Sequence, residues 1–141
     1  MGSQSPVTNR PTACIVDYTV GNIFSIAQAC KHVGFNVVVS SDHDLIQNSD
    51  CVILPGVGAF PHAMKKLISH GIVDALDNFR TTGKPLIGIC LGMQLLFDKS
   101  SEFEECKGLG YVPGEVIHLN NLFDRNGMQS DRPSIPHTGW A

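Results

Sequence analysis

Cys90 is the side chain whose setting most clearly indicates covalent chemistry. It ends an apolar run, Pro85 to Ile89, and has a glycine two residues away on each side, Gly88 and Gly92, before a helical pattern begins. This is the layout of a nucleophile elbow, a strand-to-helix turn whose strained backbone leaves room only for very small residues at those two positions. N–H groups at the start of such a helix point at the sulfur and favour the thiolate. We therefore predict that Cys90 is a nucleophile.

An ordinary core position is the alternative for every cysteine, because free cysteine is among the most buried residue types. Cys14 and Cys51 lie near the head of apolar runs and are predicted to be core thiols, whereas the two glycines favour a reactive role for Cys90. The five cysteines show no C-x-x-C spacing, which predicts free thiols in a reducing cytoplasm. The histidines are scattered, so we expect no metal site.

A glycine-rich loop at residues 55–60 is the second candidate for chemistry. It carries Gly56, Val57 and Gly58 and follows an apolar run at residues 51–54 that reads as a buried strand. The carboxyl ends of parallel strands are where ligands bind in open α/β sheets. A tight turn without a binding role is the alternative. The loop is too short for a phosphate-binding P-loop and lacks its Lys-Ser/Thr pair.

Cys90 and this loop should lie at the same sheet edge, because each follows a predicted parallel strand. Acyl transfer needs a nucleophile and two backbone N–H donors aimed at the developing oxyanion. We assign one donor to Leu91, directly after the nucleophile, and the other to Val57 or Gly58.

Composition bounds the class of protein. The 141 residues carry a net charge of −3 with a pI near 6.0, which gives no basic surface for nucleic acid and no reason to expect an anionic membrane as partner. The polar stretch 1–12 is interpreted as a loose tail, and residues 13–141 as a single domain.

Hydrophobic periodicity predicts an α/β fold of the flavodoxin-like type, a mostly parallel sheet with helices on both faces. The helix after Cys90 is expected to run through Phe97. We expect an acidic patch at 98–105, with Glu104 and Glu105 on a solvated face, and a long surface loop at 120–136. The predicted strands lie at 13–17, 35–39, 51–54, 85–89 and 112–119, and the other helices at 23–33, 61–70 and 72–82.

Three segments, taken in order, resemble the triad-type (class I) glutamine amidotransferases: Pro55–Gly58, Gly88–Phe97 and Pro136–Trp140. The glutamine four residues after the cysteine is typical of this family. Met93, the Pro-Gly-Val-Gly loop and the His-x-Gly-Trp ending are most similar to glutaminase subunits of imidazole glycerol phosphate synthase. The resemblance covers residues 12–141 and implies the class I amidotransferase fold.

The resemblance also implies a reaction. Cys90 would attack the side-chain amide of glutamine to give a thioester and ammonia, and water would then release glutamate. Gly56, Gly58, Gln94 and Glu102 would bind the glutamine, with Glu102 pairing its ammonium group. No cofactor is implied.

A partner is implied as well. The family passes ammonia through a tunnel to a cyclase (β/α)8-barrel subunit, with which it forms a cytoplasmic heterodimer in histidine biosynthesis. Pro136, His137, Gly139 and Trp140 would lie near that interface.

One feature departs from the family pattern. A cysteine nucleophile of this kind needs a histidine base oriented by a carboxylate. The family supplies them as a His-x-Glu well beyond its His-x-Gly-Trp segment. No such motif follows here, and the pattern places His137 in the interface segment. We therefore expect the chain to correspond to the amino-terminal two thirds of the enzyme, with little or no glutaminase turnover.

Three rival interpretations stay open. The chain could belong to an amidotransferase of the same type that serves another pathway, such as amidation of a surface sugar. It could be a flavodoxin-like binding domain whose reactive cysteine is not catalytic. It could also be an inactive remnant that folds poorly.

Overall fold

Four strands form a parallel sheet: β1 (Thr12–Val16), β2 (Asn36–Ser40), β3 (Cys51–Leu54) and β4 (Leu86–Gly88). Their spatial order is β2-β1-β3-β4. The structure, a computed structural model, describes residues 9–18, 22–125 and 127. Cys14 lies opposite Val38 on one side and Val52 on the other, and Ile53 lies opposite Ile87.

Helices cover both faces of this sheet, as the sequence predicts. Successive strand residues point to opposite faces. Accordingly Ala13 and Ile15 pack with Ala27 and Cys30 on one face, while Val16 belongs to the larger cluster on the other. The described helices are α1 (Ile23–His32), α2 (His43–Asn48), α3 (Phe60–Ser69), α4 (Ile72–Thr81), α5 (Leu91–Leu95) and α6 (Leu119–Arg125).

The larger cluster contains the fully buried aromatic side chains of Phe60 and Phe79. Cys14 and Cys51, which the sequence predicts to be core thiols, are 0% and 5% exposed. The apolar residue Ile68 of α3, by contrast, is 65% exposed. Ile68 therefore lies beside the buried stripe of the helix and not within it.

A second, three-stranded sheet follows α5, with the order β6-β5-β7. β5 pairs with β6 in antiparallel and with β7 in parallel orientation. This sheet contradicts the expectation of a helix through Phe97, whereas Glu104 and Glu105, between β5 and β6, are exposed as expected. Its strands are β5 (Phe97–Ser100), β6 (Cys106–Lys107) and β7 (Val112–Val116).

Helix α5 ends at Leu95 because a later segment of the chain forms hydrogen bonds with the carbonyl groups at its end. Leu109 N–H donates to Leu95 O at 2.8 Å, and Tyr111 N–H donates to Leu96 O at 2.8 Å. In a longer helix those carbonyls would bond the N–H groups of residues 99 and 100. The returning chain therefore converts the expected last turn into an edge that leads into β5.

The ends of the described chain differ from expectation in two places. Thr12, assigned to the polar tail, begins β1, and Pro11 O accepts a hydrogen bond from Asn36 N–H at 2.9 Å. Part of the expected loop 120–136 is helical, in α6, and its other residues, apart from Gly127, lie outside the described residues. No helix among the described residues is both long and apolar enough to cross a membrane.

Candidate functional site

Cys90 has a strained backbone, with φ 55° and ψ −123°. Among the described residues it is the only non-glycine residue with positive φ. Conformations of this kind cost about 1–3 kcal/mol and persist only where the surrounding structure imposes them. The thiol is exposed. The chain therefore holds this side chain out from the end of β4 at an energetic cost.

The two flanking glycines make this turn possible. A Cβ placed at Gly88 would lie 2.5 Å from Met93 Cα, and one placed at Gly92 would lie 1.9 Å from Leu54 O. Both distances are shorter than any van der Waals contact, so a side chain at either position would push β3 or α5 away. The turn has the elbow geometry predicted from the sequence, and the nucleophilic role of Cys90 stays a prediction.

The N–H groups at the start of α5 differ in whether they have a hydrogen-bond acceptor. Gly92 N–H donates to Ile89 O at 3.0 Å, and the N–H groups of Met93 and Gln94 donate to Cys90 O at 3.0 and 3.3 Å. No described residue accepts a hydrogen bond from Leu91 N–H. Because α5 has only five residues, its dipole is small, and this one free N–H is the stronger local feature.

The loop after β3 supplies further unpaired donors. Gly56 packs against the elbow, since a Cβ there would lie 2.9 Å from Gly92 N. Gly58 has φ 98°, which a residue with a side chain adopts only with strain. Within the described chain, neither Val57 N–H nor Gly58 N–H has an acceptor. The loop thus presents free N–H groups at the sheet edge that carries Cys90.

A pocket of about 320 Å³ brings the predicted residues together. All seven non-interface site residues predicted from the sequence line it. The interface candidates Pro136, His137, Gly139 and Trp140 lie outside the described residues. The lining residues are Gly56, Val57, Gly58, Cys90, Leu91, Gln94, Glu102 and Phe103.

Gln94 and Glu102 contribute the polar side chains of this pocket. Gln94 lies in α5, four residues after Cys90, and both residues line the pocket. Glu102 follows β5, and its N–H donates a hydrogen bond to the Ser100 hydroxyl oxygen at 3.3 Å. The pocket therefore combines a thiol, free backbone donors, an amide and a carboxylate.

Phe103 was missed by the sequence interpretation. Its side chain is 70% exposed and borders both this pocket and a neighbouring groove of about 690 Å³. An aromatic residue inside an acidic stretch is the only signal that the sequence offers. The groove is mainly apolar and holds no strained residue, so the smaller pocket is the candidate site.

Histidines lie elsewhere in the described chain, and none of them lines this pocket. His62 and His70 are exposed. His43 Nε2 lies 2.6 Å from Gly71 O, where it links the start of α2 to the turn before α4.

The other thiols have environments that disfavour reactivity. Burial raises the pKa of Cys14, Cys30 and Cys51, and the Cys30 thiol further raises that of Cys51. Burial, followed by the charge of Glu104, raises the pKa of Cys106. Thiolate chemistry at neutral pH is therefore disfavoured at all four of these positions.

Comparison with known proteins defines the class to which this fold and pocket belong. The family described as glutamine amidotransferase class-I matches residues 14–136, and the chain belongs to this family.

Two curated relatives are similar in sequence to this chain over most of its length. The protein named imidazole glycerol phosphate synthase subunit HisH from Bacillus cereus is 48% identical over 126 residues, which cover 89% of this chain and 56% of that protein. Subunit HisH 2 of the same synthase from Vibrio vulnificus is 45% identical over 128 residues, with the same coverage. The chain thus spans about 56% of the length of these relatives.

Solved structures agree on the fold. A structure described as a glutamine amidotransferase superposes with a TM-score of 0.64 at 20% identity, over 76% of this chain and 56% of that one. A putative peptidase E protein from Listeria monocytogenes superposes with a TM-score of 0.62 at 12% identity, over 72% and 63%. At these identities the likeness concerns the fold alone.

Proposed function

We propose that these residues are the nucleophile-bearing part of a glutaminase subunit of imidazole glycerol phosphate synthase. The subunit hydrolyses glutamine to glutamate and ammonia in the cytoplasm. Its ammonia passes to a cyclase (β/α)8-barrel subunit, in a heterodimer that serves histidine biosynthesis. The observation that carries the proposal is the strained, exposed Cys90 in one pocket with Gln94 and Glu102, next to the free N–H of Leu91.

Catalysis begins with glutamine bound in this pocket. The Glu102 carboxylate pairs with the substrate's α-ammonium group, and Gln94 and the backbone of Gly56 and Gly58 orient the rest of the substrate. The side-chain amide then lies against the Cys90 sulfur. Charge pairing and backbone contacts of this kind supply the positioning that speeds a bimolecular attack.

The thiolate of Cys90 adds to the amide carbon, so a C–S bond forms and the carbonyl oxygen gains the negative charge. Leu91 N–H and an N–H from Val57 or Gly58 stabilise that oxyanion, a contribution that typically changes rates by about 10²–10³ for each donor. The oxyanion collapses and expels protonated nitrogen as ammonia. Water then attacks the thioester, which releases glutamate and restores the thiol.

Proton transfer in both steps requires a base beside the sulfur. In the family this is the histidine of the His-x-Glu motif, and none of the described histidines lines the pocket. We therefore propose that the 141-residue chain alone turns over little or no glutamine. Substantial glutamine hydrolysis by this chain would contradict that statement.

The test is a Cys90→Ala substitution in the assembled synthase that contains these residues. We expect synthesis from glutamine to fall by at least about 10³-fold, because the nucleophile is lost. Synthesis from added ammonia should stay within about twofold, because ammonia bypasses the glutaminase step. Cys106→Ala, at a partly exposed thiol outside the pocket, is the control and should change neither rate. Loss of both activities in Cys90→Ala would refute a role limited to glutamine hydrolysis.

A further inference from the structure

Tyr18 lies two residues beyond β1, directly beneath the loop that carries the candidate oxyanion donors. Its side chain is only 5% exposed. Its hydroxyl donates a hydrogen bond to Pro55 O at 2.6 Å. Pro55 directly follows β3 and precedes Gly56, so this bond joins the end of one central strand to the end of the next.

This hydrogen bond lies at the first residue of the loop, where the direction in which the loop leaves β3 is set. Proline has no N–H, so the carbonyl is the only backbone group of Pro55 that can anchor the loop by a hydrogen bond. Gly56 and Gly58 follow, and glycine accepts many backbone conformations. The Tyr18 hydroxyl is therefore the hydrogen-bond donor that anchors the loop next to these two glycines.

Three segments converge at Gly56. A Cβ placed there would lie 2.9 Å from the Tyr18 hydroxyl oxygen, 2.9 Å from Gly92 N and 3.1 Å from Leu91 Cβ. The tyrosine thus contacts the loop at the same place where the loop meets the start of α5. The spacing between the Leu91 N–H and the loop's N–H groups depends on this junction.

Burial raises the pKa of the Tyr18 phenol. The phenol consequently stays protonated over the working pH range of an enzyme and remains a hydrogen-bond donor to Pro55 O.

We propose that Tyr18 is a positioning residue that holds the 55–58 loop so that its N–H and that of Leu91 converge on one oxyanion. This inference rests on the proposed function and extends it to a side chain outside the pocket lining. Tyr18 touches neither substrate nor sulfur in this account. Its hydroxyl acts through the Pro55 carbonyl.

The test compares two reagents at Cys90 in this chain, measured by mass spectrometry of the modified peptide. A chloroketone analogue of glutamine develops an oxyanion when the thiolate adds to its carbonyl, whereas iodoacetamide alkylates by displacement without one. Tyr18→Phe removes only the hydroxyl. We expect at least about a tenfold slower chloroketone reaction, since misplaced oxyanion donors lose most of their effect. The iodoacetamide rate should stay within about twofold.

Tyr111→Phe is the matched control, because it removes the hydroxyl of the other tyrosine, which bonds the Asp77 carboxylate away from the pocket. Both reagents should modify Cys90 of this variant at the wild-type rates. Equal slowing of both reagents in Tyr18→Phe would overturn the proposal in favour of a structural role, and unchanged rates would also overturn it. Failure of glutamine to protect wild-type Cys90 from the chloroketone would instead contradict the proposed function.

A second measurement does not depend on the folding of Tyr18→Phe. In Tyr111→Phe protein grown with 3-fluorotyrosine, Tyr18 is the only fluorinated tyrosine. Its fluorine resonance should shift when the chloroketone occupies Cys90, because the loop and the phenol are hydrogen-bonded. A resonance that does not move on complete modification would contradict the coupling.

Discussion

Cys90 illustrates how much of a site can be predicted at the scale of single residues. The glycines on either side predict the elbow, because a Cβ at Gly88 or Gly92 would collide with backbone atoms. Tyr18 and Phe103 could not be found in this way. Their positions depend on which strand ends and loops become neighbours in the folded chain, and no local pattern encodes that.

Gly92→Ala should prevent the elbow from forming. The new Cβ would lie 1.9 Å from Leu54 O, and a contact with backbone cannot be relieved by a rotamer change. We expect the free energy of unfolding to fall by more than about 3 kcal/mol, at the upper end of overpacking effects. Chemical denaturation followed by circular dichroism measures this.

Gly83→Ala is the control, because it strains the backbone without bringing the new Cβ against another atom. Gly83 has φ 73° and no atom within 4 Å of an added Cβ, so the substitution should cost about 1–2 kcal/mol. Equal losses in the two variants would show that collision with Leu54 is not what requires glycine at position 92.

At the scale of elements, the βαβ part was predictable, whereas of the small sheet only β7 was predicted, as a longer strand. β1 and β3 are short apolar runs bounded by turn residues, and the period of two places their side chains on both faces. β5, with the sequence FDKS, has little strand propensity of its own. It forms because β6 and β7 pair with it, and β7 is reached only after the chain turns back at Gly108 to Gly110.

The start of α2 gives a test at this scale. Asp42 precedes this helix, and its Oδ1 accepts hydrogen bonds from Asp44 N–H at 2.9 Å and Leu45 N–H at 3.1 Å. Asp42→Ala removes this N-cap and should lower the free energy of unfolding by about 1 kcal/mol.

Asp42→Asn is the matched control, because asparagine caps helices about as well as aspartate. Its unfolding midpoint in denaturant should stay close to that of the wild type. An Asn variant as unstable as Asp42→Ala would show that the charge of Asp42, and not its cap geometry, stabilises the helix.

At the scale of the whole molecule, buried thiols link stability to pH. Cys14 and Cys51 are both buried on the sheet, and burial raises the pKa of each thiol. As pH rises, the two thiols therefore lose their protons at a lower pH in the unfolded chain than in the folded chain. Their contribution to stability is complete below the pKa of an unfolded thiol, about 8.5. It declines as pH rises through the pKa of the folded-state thiols.

Stability should consequently fall between pH 8 and pH 10 under reducing conditions. Burial raises the pKa of Tyr18 and Tyr111 as well, so the tyrosines act in the same direction at still higher pH. Denaturant titrations at several pH values measure the slope. Cys51→Ala should be less stable at neutral pH, through lost packing, but show a smaller decline with pH. A steeper decline in that variant would contradict the assignment.

The central claim is that Cys90 is a nucleophile in a pocket that recognises glutamine. Its most direct test is modification of the 141-residue chain at neutral pH by a chloroketone analogue of glutamine, with every cysteine followed by mass spectrometry. We expect that Cys90 reacts first, that glutamine slows its reaction, and that asparagine does not. Modification of Cys90 and Cys106 at similar rates, with no protection by glutamine, would contradict it and leave Cys90 as an exposed thiol on a flavodoxin-like domain.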